Sequence, residues 1–310
     1  MSTTIEAHGL TKRYGRTVAV DDLSFRVEAG RVTGFVGPNG AGKSTTMRLL
    51  LGLDAADTGK ARVGGRRYRD LSAPLREVGA LLDADATHPG RRARSHLLWL
   101  ARSNRLPAGR VDEVLELVGL APAARKRTGG FSLGMKQRLG IAAAMIGDPP
   151  VLVFDEPING LDPDGIRWIR AFLRSLADEG RTVFVSSHLM SELEGIADEV
   201  VVIGRGRLIA QASVSELLSS RSYGRVHVRT SQVREVMAVL AEAGATVTSS
   251  DSNALVVSGL EPDRIAQLVA EHGLRLEELY RERASLEDAF IDLTRDAVEY
   301  VAAERPGRQG

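Results

Sequence analysis

The chain has 310 residues, 43% hydrophobic and 26% charged, which is ordinary for a globular protein with one sizeable α/β core and a small second domain. It contains no cysteine, which excludes disulfides and thiolate metal sites and suits a cytosolic protein. The formal net charge of +1 gives no large field that would favour nucleic acid or anionic lipid as the main partner.

No segment of the sequence predicts insertion of the chain into a membrane. The N-terminal residues up to Gly15 hold no continuous apolar stretch, so we expect no secretory signal. The longest apolar runs, at Ile141–Ile146 and Val151–Phe154, are far shorter than the ~20 residues that a spanning helix needs. Any membrane role is therefore expected to come through another chain.

Strand-like apolar runs alternate with amphipathic helical stretches over residues 1–220. The Asp162–Pro163 pair indicates a helix N-cap followed by proline at the first helical position. The predicted elements, in chain order, are a strand at Arg31–Val36, a helix at Lys43–Leu51, a strand at Val151–Phe154, a helix from Asp162 to about Asp178, and strands at Thr182–Ser186 and Glu199–Ile203. This pattern predicts an α/β fold with a mostly parallel sheet.

Residues 84–147 depart from that alternation because they are mainly helical. Apolar residues mark one helix around Leu97–Ala101 and a second around Val111–Val118. We interpret the region as a helical insertion in the α/β domain. The alternative, that these helices belong to the main core, stays open because periodicity alone does not decide it.

The C-terminal part of the chain has a different pattern, which begins after a polar linker predicted at Ser219–Gly224. Residues 223–300 read as βαββαβ, with a first strand at Val226–Val228 and a last strand beginning at Leu274. This order predicts a small α+β domain of the ferredoxin-like type. The segment Ser285–Asp288 resembles a capping box before a final helix, and residues 301–310 are expected to be a disordered tail.

The segment Gly37–Ser44 has the spacing G-x-x-x-x-G-K-[ST] of a phosphate-binding loop. In such a loop, backbone N–H groups surround the phosphates and the following helix points its positive end at them. Lys43 would contact the β- and γ-phosphates, and Ser44 would offer a hydroxyl to Mg²⁺. The alternative, a structural glycine turn with a chance lysine, is disfavoured by the strand before the loop and the helix after it. The predicted nucleotide-binding positions are Gly37, Asn39, Gly40, Ala41, Gly42, Lys43, Ser44 and Thr45.

Two adjacent carboxylates, Asp155 and Glu156, follow the predicted strand at Val151–Phe154. Asp155 is suited to holding Mg²⁺, and Glu156 to orienting and polarising an attacking water. An acidic pair at an exposed strand end would be the alternative. Together with the phosphate-binding loop, the pair predicts hydrolysis of a nucleoside triphosphate with Mg²⁺.

Further motifs make the stretch from Ile5 to Leu217 resemble the ABC ATPase family. Phe131–Arg138, FSLGMKQR, is similar to the family's signature loop and the helix after it, and Gly160–Asp162 is similar to its D-loop. His188 stands where the family has a switch histidine that senses the γ-phosphate, and Tyr14 where an aromatic ring stacks on adenine. Alone, Tyr14 and His188 would read as ordinary structural residues, and Asp162 as an N-cap.

The resemblance implies a composite nucleotide site. ATP bound to the loop of one chain would be covered by Ser132 and Gly134 of a second copy, with Asp162 at the dimer interface. It further implies a partner permease in the membrane, location at the cytoplasmic face of the cell membrane through that permease, and no nucleic-acid partner. Because Glu156 and His188 are both present, we expect a site competent for hydrolysis.

Two positions differ from the family pattern. Leu133 replaces the first of two adjacent glycines in the signature loop. Asp83 stands where the family usually has glutamine, so it is predicted to contact Mg²⁺ or water, with a solvated loop aspartate as the alternative. Both differences are similar to those of ATP-binding subunits of bacterial drug- and antibiotic-resistance exporters.

The predicted function is therefore ATP hydrolysis that drives export of drug-like or antibiotic small molecules. A soluble ABC-type ATPase without a transport role is the alternative, and a P-loop kinase or GTPase is disfavoured because no Asn-Lys-x-Asp segment is present. The basic clusters at Arg91–Arg94 and Arg125–Arg127 are interpreted as solvated surface, or as facing anionic headgroups if the helical insertion approaches the membrane.

Overall fold

The computed structural model describes residues 3–221, 225–281 and 286–287. Within them the chain forms two compact units, with the boundary between Val214 and Ser215. None of the helices in these ranges is both long enough and apolar enough to cross a membrane.

The first unit contains a central sheet and a smaller antiparallel sheet. Its strands are β1 (Ile5–Tyr14), β2 (Thr17–Val27), β3 (Val32–Val36), β4 (Thr58–Val63), β5 (Val78–Leu81), β6 (Val151–Phe154), β7 (Thr182–Ser187), β8 (Glu199–Gly204) and β9 (Arg207–Ser213). The central sheet has the order β5-β6-β7-β3-β8-β9, and all its pairs are parallel except β8–β9. The α/β prediction with a mostly parallel sheet is confirmed.

The strands in the middle of the central sheet are buried along their whole length. Every residue of β3, β6 and β7 is buried, as expected for parallel strands covered on both faces. Because parallel strands end at the same edge of the sheet, the segments after Val36, Phe154 and Ser187 come together there. This edge holds the candidate site.

The antiparallel sheet, with the order β2-β1-β4, was not predicted from the sequence. Its pairing of β1 with β2 changes register at several points, and Gly9 within β1 has a φ of +57°. Three aromatic rings, Phe25, Phe35 and Phe184, join it to the central sheet with centroid distances of 5.0 to 5.5 Å. The aromatic cluster packs the antiparallel sheet against the central sheet.

The helices of the first unit are α1 (Lys43–Leu50), α2 (Pro74–Glu77), α3 (Ala93–Ser103), α4 (Arg110–Leu117), α5 (Leu133–Met145), α6 (Pro163–Asp178) and α7 (Met190–Leu193). Helices α3, α4 and α5 lie between β5 and β6 in the chain, inside the region expected to be a helical insertion. The predicted start of α6 is confirmed, since Asp162 is its N-cap and accepts a 2.8 Å hydrogen bond from the Gly165 N–H.

A helix, α8 (Val214–Arg221), occupies the first residues of the segment that we expected to be a linker. After it come β10 (Val226–Arg229), α9 (Val233–Glu242), β11 (Thr246–Asp251), β12 (Ala254–Ser258), α10 (Pro262–Glu271) and β13 (Glu278–Arg281). The strands form an antiparallel sheet in the order β11-β12-β10-β13, which confirms the ferredoxin-like prediction.

The predicted beginning of the last strand is wrong. Leu274 and Leu276 lie before β13 and pack, half-buried, against the core of the second unit. Their alternation with polar residues therefore reflects burial without strand pairing. The predicted capping box at Ser285–Asp288, apart from Leu286 and Glu287, and the predicted tail at 301–310 lie outside the described residues.

Candidate nucleotide site

The loop between β3 and α1 passes very close to other backbone segments. Gly42, the N-cap of α1, has a φ of +104°, and Gly40 has a φ of +80°. A Cβ on Gly42 would overlap the carbonyl oxygen of Ala19, and a Cβ on Gly37 would lie 2.5 Å from the carbonyl oxygen of Ile203. These glycines are therefore required by backbone conformation and by space.

Lys43 lies at the first position of α1 and is buried, with 7% of its side chain exposed. Its ammonium nitrogen donates a 2.7 Å hydrogen bond to the carbonyl of Gly37 and lies 3.5 Å from Oε1 of Glu156. A buried cation needs such partners to offset its loss of hydration. The contacts hold the positive charge directly beneath the loop.

Glu156 has a strained backbone and contacts with both its neighbours in the site. Its φ of +49° is unusual for a residue other than glycine, and strain of this kind is often found at functional sites. Its N–H donates to Ser186 Oγ at 2.9 Å, and its Oε2 lies 2.9 Å from Nδ1 of His188. With Lys43 on its other oxygen, the carboxylate lies between two basic side chains.

Ser186 connects the two adjacent carboxylates. Its hydroxyl donates a hydrogen bond to Oδ1 of Asp155 and accepts one from the N–H of Glu156. The side chain is fully buried near the end of β7. Ser186 is not among the site residues predicted from the sequence, and its signal there is a pair of serines, Ser186 and Ser187, after the apolar run of β7.

A cavity of about 350 Å³ opens above these residues. It is lined by Ala19, Asn39, Gly40, Ala41, Gly42, Lys43, Ser44, Thr45, Glu156, Asn159 and His188. The structure thus brings the predicted loop residues together with Glu156 and His188. Gly37 and Asp155 do not line the cavity, whereas Ala19 and Asn159 line it and are not among the predicted site residues.

Three other predicted positions lie outside the cavity lining. Ser132 caps α5, because its Oγ accepts a 3.3 Å hydrogen bond from the Met135 N–H. Gly134 follows in the first turn of α5, and Asp162 caps α6. The Leu133 side chain, 44% exposed, lies against Gly160, where an added Cβ would overlap it. Within one chain these residues form a separate surface.

Tyr14 is 48% exposed and does not line the cavity. Its hydroxyl donates a 2.7 Å hydrogen bond to Oδ2 of Asp54, and the Lys12 ammonium lies 5.3 Å from its ring centroid. Hydrogen bonds from Arg48, at the end of α1, and from Tyr14 lower the pKa of Asp54 to about 2. Arg48 of α1 thus holds Asp54, and Asp54 holds the Tyr14 hydroxyl, so α1 fixes the orientation of the ring.

Asp83, a predicted Mg²⁺ or water contact, lies in the exposed loop after β5. Its Oδ1 accepts a 2.8 Å hydrogen bond from the Asp85 N–H. It does not line the cavity. The contact that the structure shows for this carboxylate therefore stabilises its own turn.

Residues 20–159 match the sequence profile described as ABC transporter. A bacitracin transport ATP-binding protein, BcrA, of Bacillus licheniformis is 37% identical over 94% of this chain and 98% of its own length. The chain belongs to the ABC transporter family. A daunorubicin resistance ATP-binding protein, DrrA3, of Streptomyces coeruleorubidus is 34% identical over 95% of this chain and 96% of its own.

Solved ABC structures agree with the fold of the first unit. The ATP-binding subunit of an ABC transporter superposes with a TM-score of 0.63 at 26% identity, covering 70% of this chain and 93% of that one. A dimeric bacterial ABC transporter cassette gives 0.63 at 22% identity, covering 68% of this chain and 98% of the cassette, which shows the fold alone. Residues 127–194 also match an AAA domain profile described as a putative AbiEii toxin, and residues 224–287 match a domain of unknown function.

Proposed function

We propose that this chain is the ATP-hydrolysing subunit of an ABC exporter and that it works as a homodimer on a separate membrane permease. The observation that supports this most directly is the separation of two surfaces within one chain. Lys43, Glu156 and His188 share one cavity, whereas the turn at Ser132–Gly134 lies outside it. A second copy would bring its own Ser132–Gly134 turn to the open side of the cavity.

In this proposal the loop residues hold the triphosphate of ATP by their backbone N–H groups, at the N-terminus of α1. Lys43 moves its ammonium group from Gly37 and Glu156 to the β- and γ-phosphates. The carboxylate of Glu156, released from Lys43, orients the attacking water in line with the γ-phosphate and accepts its proton. The water oxygen bonds to the γ-phosphorus as the bond from that phosphorus to the β–γ bridging oxygen breaks, so ADP and inorganic phosphate leave. His188, which contacts the same carboxylate, senses the γ-phosphate and supports that orientation.

The residues beside the cavity fit a magnesium ion. Ser44 presents an exposed hydroxyl to the cavity, and the Asp155 carboxylate is held in one orientation by the buried Ser186 hydroxyl. Hard oxygen ligands of this kind, together with phosphate oxygens, are what Mg²⁺ uses in nucleotide sites. Bound there, the ion would neutralise charge that develops on the phosphates. Asp83 is a further proposed ligand, and it would need a different loop conformation.

The substrate class comes from the relatives. BcrA is named for bacitracin transport and DrrA3 for daunorubicin resistance, and each matches nearly all of its own length. We infer that the substrate of this transporter is also an antibiotic-like small molecule. Its path would lie in the permease, so this chain would act at the cytoplasmic face of the membrane and contribute the energy of ATP hydrolysis.

Mixed dimers test the composite site. Lys43→Ala removes the charge under the loop, and Gly134→Asp places a carboxylate where the second copy should meet the γ-phosphate. Each variant alone should lose ATPase activity. Mixed in equal amounts, they should recover about a quarter of the wild-type activity, because half of the randomly paired dimers would each hold one intact site. No recovery in the mixture, with both variants folded, would contradict the composite site.

Gly130→Asp is the matched control for the charge introduced at Gly134. Gly130 is exposed close to the same turn, its φ is not positive, and an added Cβ there meets no atom within 4 Å. We expect this variant to keep wild-type ATPase activity. Equal loss in Gly130→Asp and Gly134→Asp would indicate a general effect of charge, and it would remove Gly134 from the proposed interface.

A further inference from the structure

The helical region carries a local excess of positive charge that the net charge of the whole chain conceals. From Arg91 to Arg127 there are nine Lys and Arg residues and three Asp and Glu residues, a net charge of +6 in a chain whose total is +1. Five of these cations are close together in two segments. They form what we call the arginine patch, namely Arg91, Arg92, Arg125, Lys126 and Arg127.

Backbone hydrogen bonds join the two segments of the arginine patch. The Ala93 N–H donates to the carbonyl of Lys126 at 3.2 Å, and the Thr128 N–H donates to the carbonyl of Arg91 at 3.0 Å. Arg92 and Arg127 therefore lie directly opposite each other in an isolated antiparallel bridge. Side chains at such positions point to the same side, with Cβ atoms about 4.5–5.5 Å apart.

This arrangement is electrostatically unfavourable in the chain by itself. Like charges at directly opposite bridge positions destabilise the pairing. Arg92 is also the N-cap of α3, and the N-terminal end of a helix favours anions over cations. Arg94, two residues further along, is compensated by Asp112 at 2.9 Å. Across the part of the chain that the structure describes, no member of the arginine patch has a carboxylate within 4.0 Å.

An exposed tryptophan borders the arginine patch. Trp99 of α3 is 54% exposed, and the guanidinium of Arg91 lies 5.1 Å from its ring centroid. Tryptophan is enriched at the boundary between membrane and water, where its apolar ring and its polar N–H are both accommodated. A phospholipid surface offers partners to both groups, because its phosphates can pair with the arginines and its interfacial layer can hold the tryptophan ring.

We propose that the arginine patch and Trp99 bind anionic phospholipid headgroups at a bilayer surface. Headgroup phosphates would supply the missing anions between Arg92 and Arg127, and the Trp99 ring would enter the interfacial layer. The contact would add a direct lipid attachment to the one through a permease. It does not depend on nucleotide chemistry, so an inactive ATPase site would leave it intact.

Vesicle sedimentation with the full chain tests the attachment. The chain should sediment with vesicles that contain phosphatidylglycerol and stay in solution with phosphatidylcholine vesicles. Arg92→Gln/Arg127→Gln should lower the affinity roughly 25-fold, since each cation near an anionic surface contributes about 1 kcal/mol, or about fivefold. Raising the salt concentration should weaken binding of the wild type. Unchanged binding of the double variant would overturn the proposal.

Arg234→Gln/Arg275→Gln is the matched control, because it removes the same charge from exposed positions of the second unit. It should keep wild-type vesicle affinity. Equal losses in the two double variants would show that net charge alone, and no particular surface, attracts the chain to vesicles. That result would also overturn the proposal.

Tryptophan fluorescence locates the contact. The chain has two tryptophans, so Trp168→Phe leaves Trp99 as the only one. Its emission should shift to shorter wavelength with phosphatidylglycerol vesicles and stay unchanged with glycerol phosphate at the same phosphate concentration. An equal shift with glycerol phosphate would identify a soluble-phosphate site instead. If the spectrum stays unchanged on vesicles and the arginine patch is needed only for binding a co-expressed permease, the partner is an acidic protein surface. Either of these two results would overturn the lipid assignment.

Discussion

The phosphate-binding cavity and the turn at Ser132–Gly134 differ in how many contacts their side chains make within one chain. In the cavity, the Glu156 carboxylate contacts Lys43 through one oxygen and His188 through the other, and Ser186 holds the backbone of Glu156. In the turn, Ser132 only caps its own helix and Leu133 is almost half exposed. One surface is therefore preorganised within the chain, whereas the other has contacts left to make. Substitutions on the two surfaces should therefore differ in their effects on turnover, ATP affinity and stability.

Glu156→Gln should have the largest effect on the preorganised surface. The amide cannot accept a proton from water, so turnover should fall by about 10²- to 10⁴-fold while ATP still binds. ATP-bound dimers should then accumulate, which light scattering can detect alongside an ATPase assay. Glu194→Gln, at an exposed position nearby, should keep full turnover. Normal ATPase activity in Glu156→Gln would remove the carboxylate from the proposed chemistry.

Ser186→Ala should have the next largest effect, because it removes one hydrogen bond to the Asp155 carboxylate and one from the backbone N–H of Glu156. A hydrogen bond to a charged group contributes about 1.5–3 kcal/mol, so kcat should fall about tenfold to a hundredfold with little change in the KM for ATP. Ser186→Thr keeps the hydroxyl and should recover most of the rate. Ser187→Ala is the control, since the neighbouring hydroxyl contacts Leu189 and Glu192 instead.

A Ser187→Ala variant as slow as Ser186→Ala would contradict the positioning role. A fall in ATP affinity without a change in kcat would do so too, because Ser186 is proposed to position Asp155 and Glu156 for the hydrolysis step. Both outcomes would indicate that the end of β7 is needed for folding of the site as a whole.

Tyr14→Ala should weaken ATP binding by a smaller factor. Stacking of a base on an aromatic ring contributes about 1–3 kcal/mol, so ATP affinity should fall about fivefold to a hundredfold. Affinity for inorganic tripolyphosphate, which has no base, should stay the same. Since the pKa of Asp54 is about 2, mild acid does not remove its charge. Asp54→Asn removes the charge and weakens the hydrogen bond that holds the Tyr14 ring. It should give a smaller loss of the same kind.

Equal losses of ATP and tripolyphosphate affinity in Tyr14→Ala would show that the tyrosine supports the loop without contacting adenine. The exposed position of the ring, beside Lys12 and outside the cavity lining, makes this the sharpest test of the adenine assignment. A direct binding measurement with the two ligands on one variant suffices.

The sequence predicted the features that depend on local spacing. The loop at Gly37–Ser44, the acidic pair after β6 and the βαββαβ order all follow from turn residues, periodicity and motif spacing. It did not predict β1, because the irregular pairing with β2 and the positive φ of Gly9 obscure the alternation of a regular strand.

The features that were missed depend on contacts between distant parts of the chain. Ser186 meets Asp155 only because β6 and β7 are neighbours in the sheet, and nothing near either residue in the sequence indicates the pair. Leu133 was identified as a departure from the family pattern, but its packing against Gly160 becomes evident only once α5 and the turn before α6 are placed together.

The smallest effect is expected where Leu133 meets Gly160. Gly160 has a φ of +72°, so Gly160→Ala should cost about 1 kcal/mol of strain plus the overlap with the Leu133 side chain. In a Leu133→Ala background the overlap disappears, so Gly160→Ala should lower the midpoint of urea unfolding less than it does in the wild type. Gly180 is the control, because its φ is +86° and a Cβ there meets no atom within 4 Å. Gly180→Ala should therefore lower the midpoint equally in both backgrounds. If Gly160→Ala also lowered the urea midpoint equally in both backgrounds, Leu133 would not anchor the turn at Ser132–Gly134 to Gly160 within one chain. The turn would then depend on the second copy alone for its position.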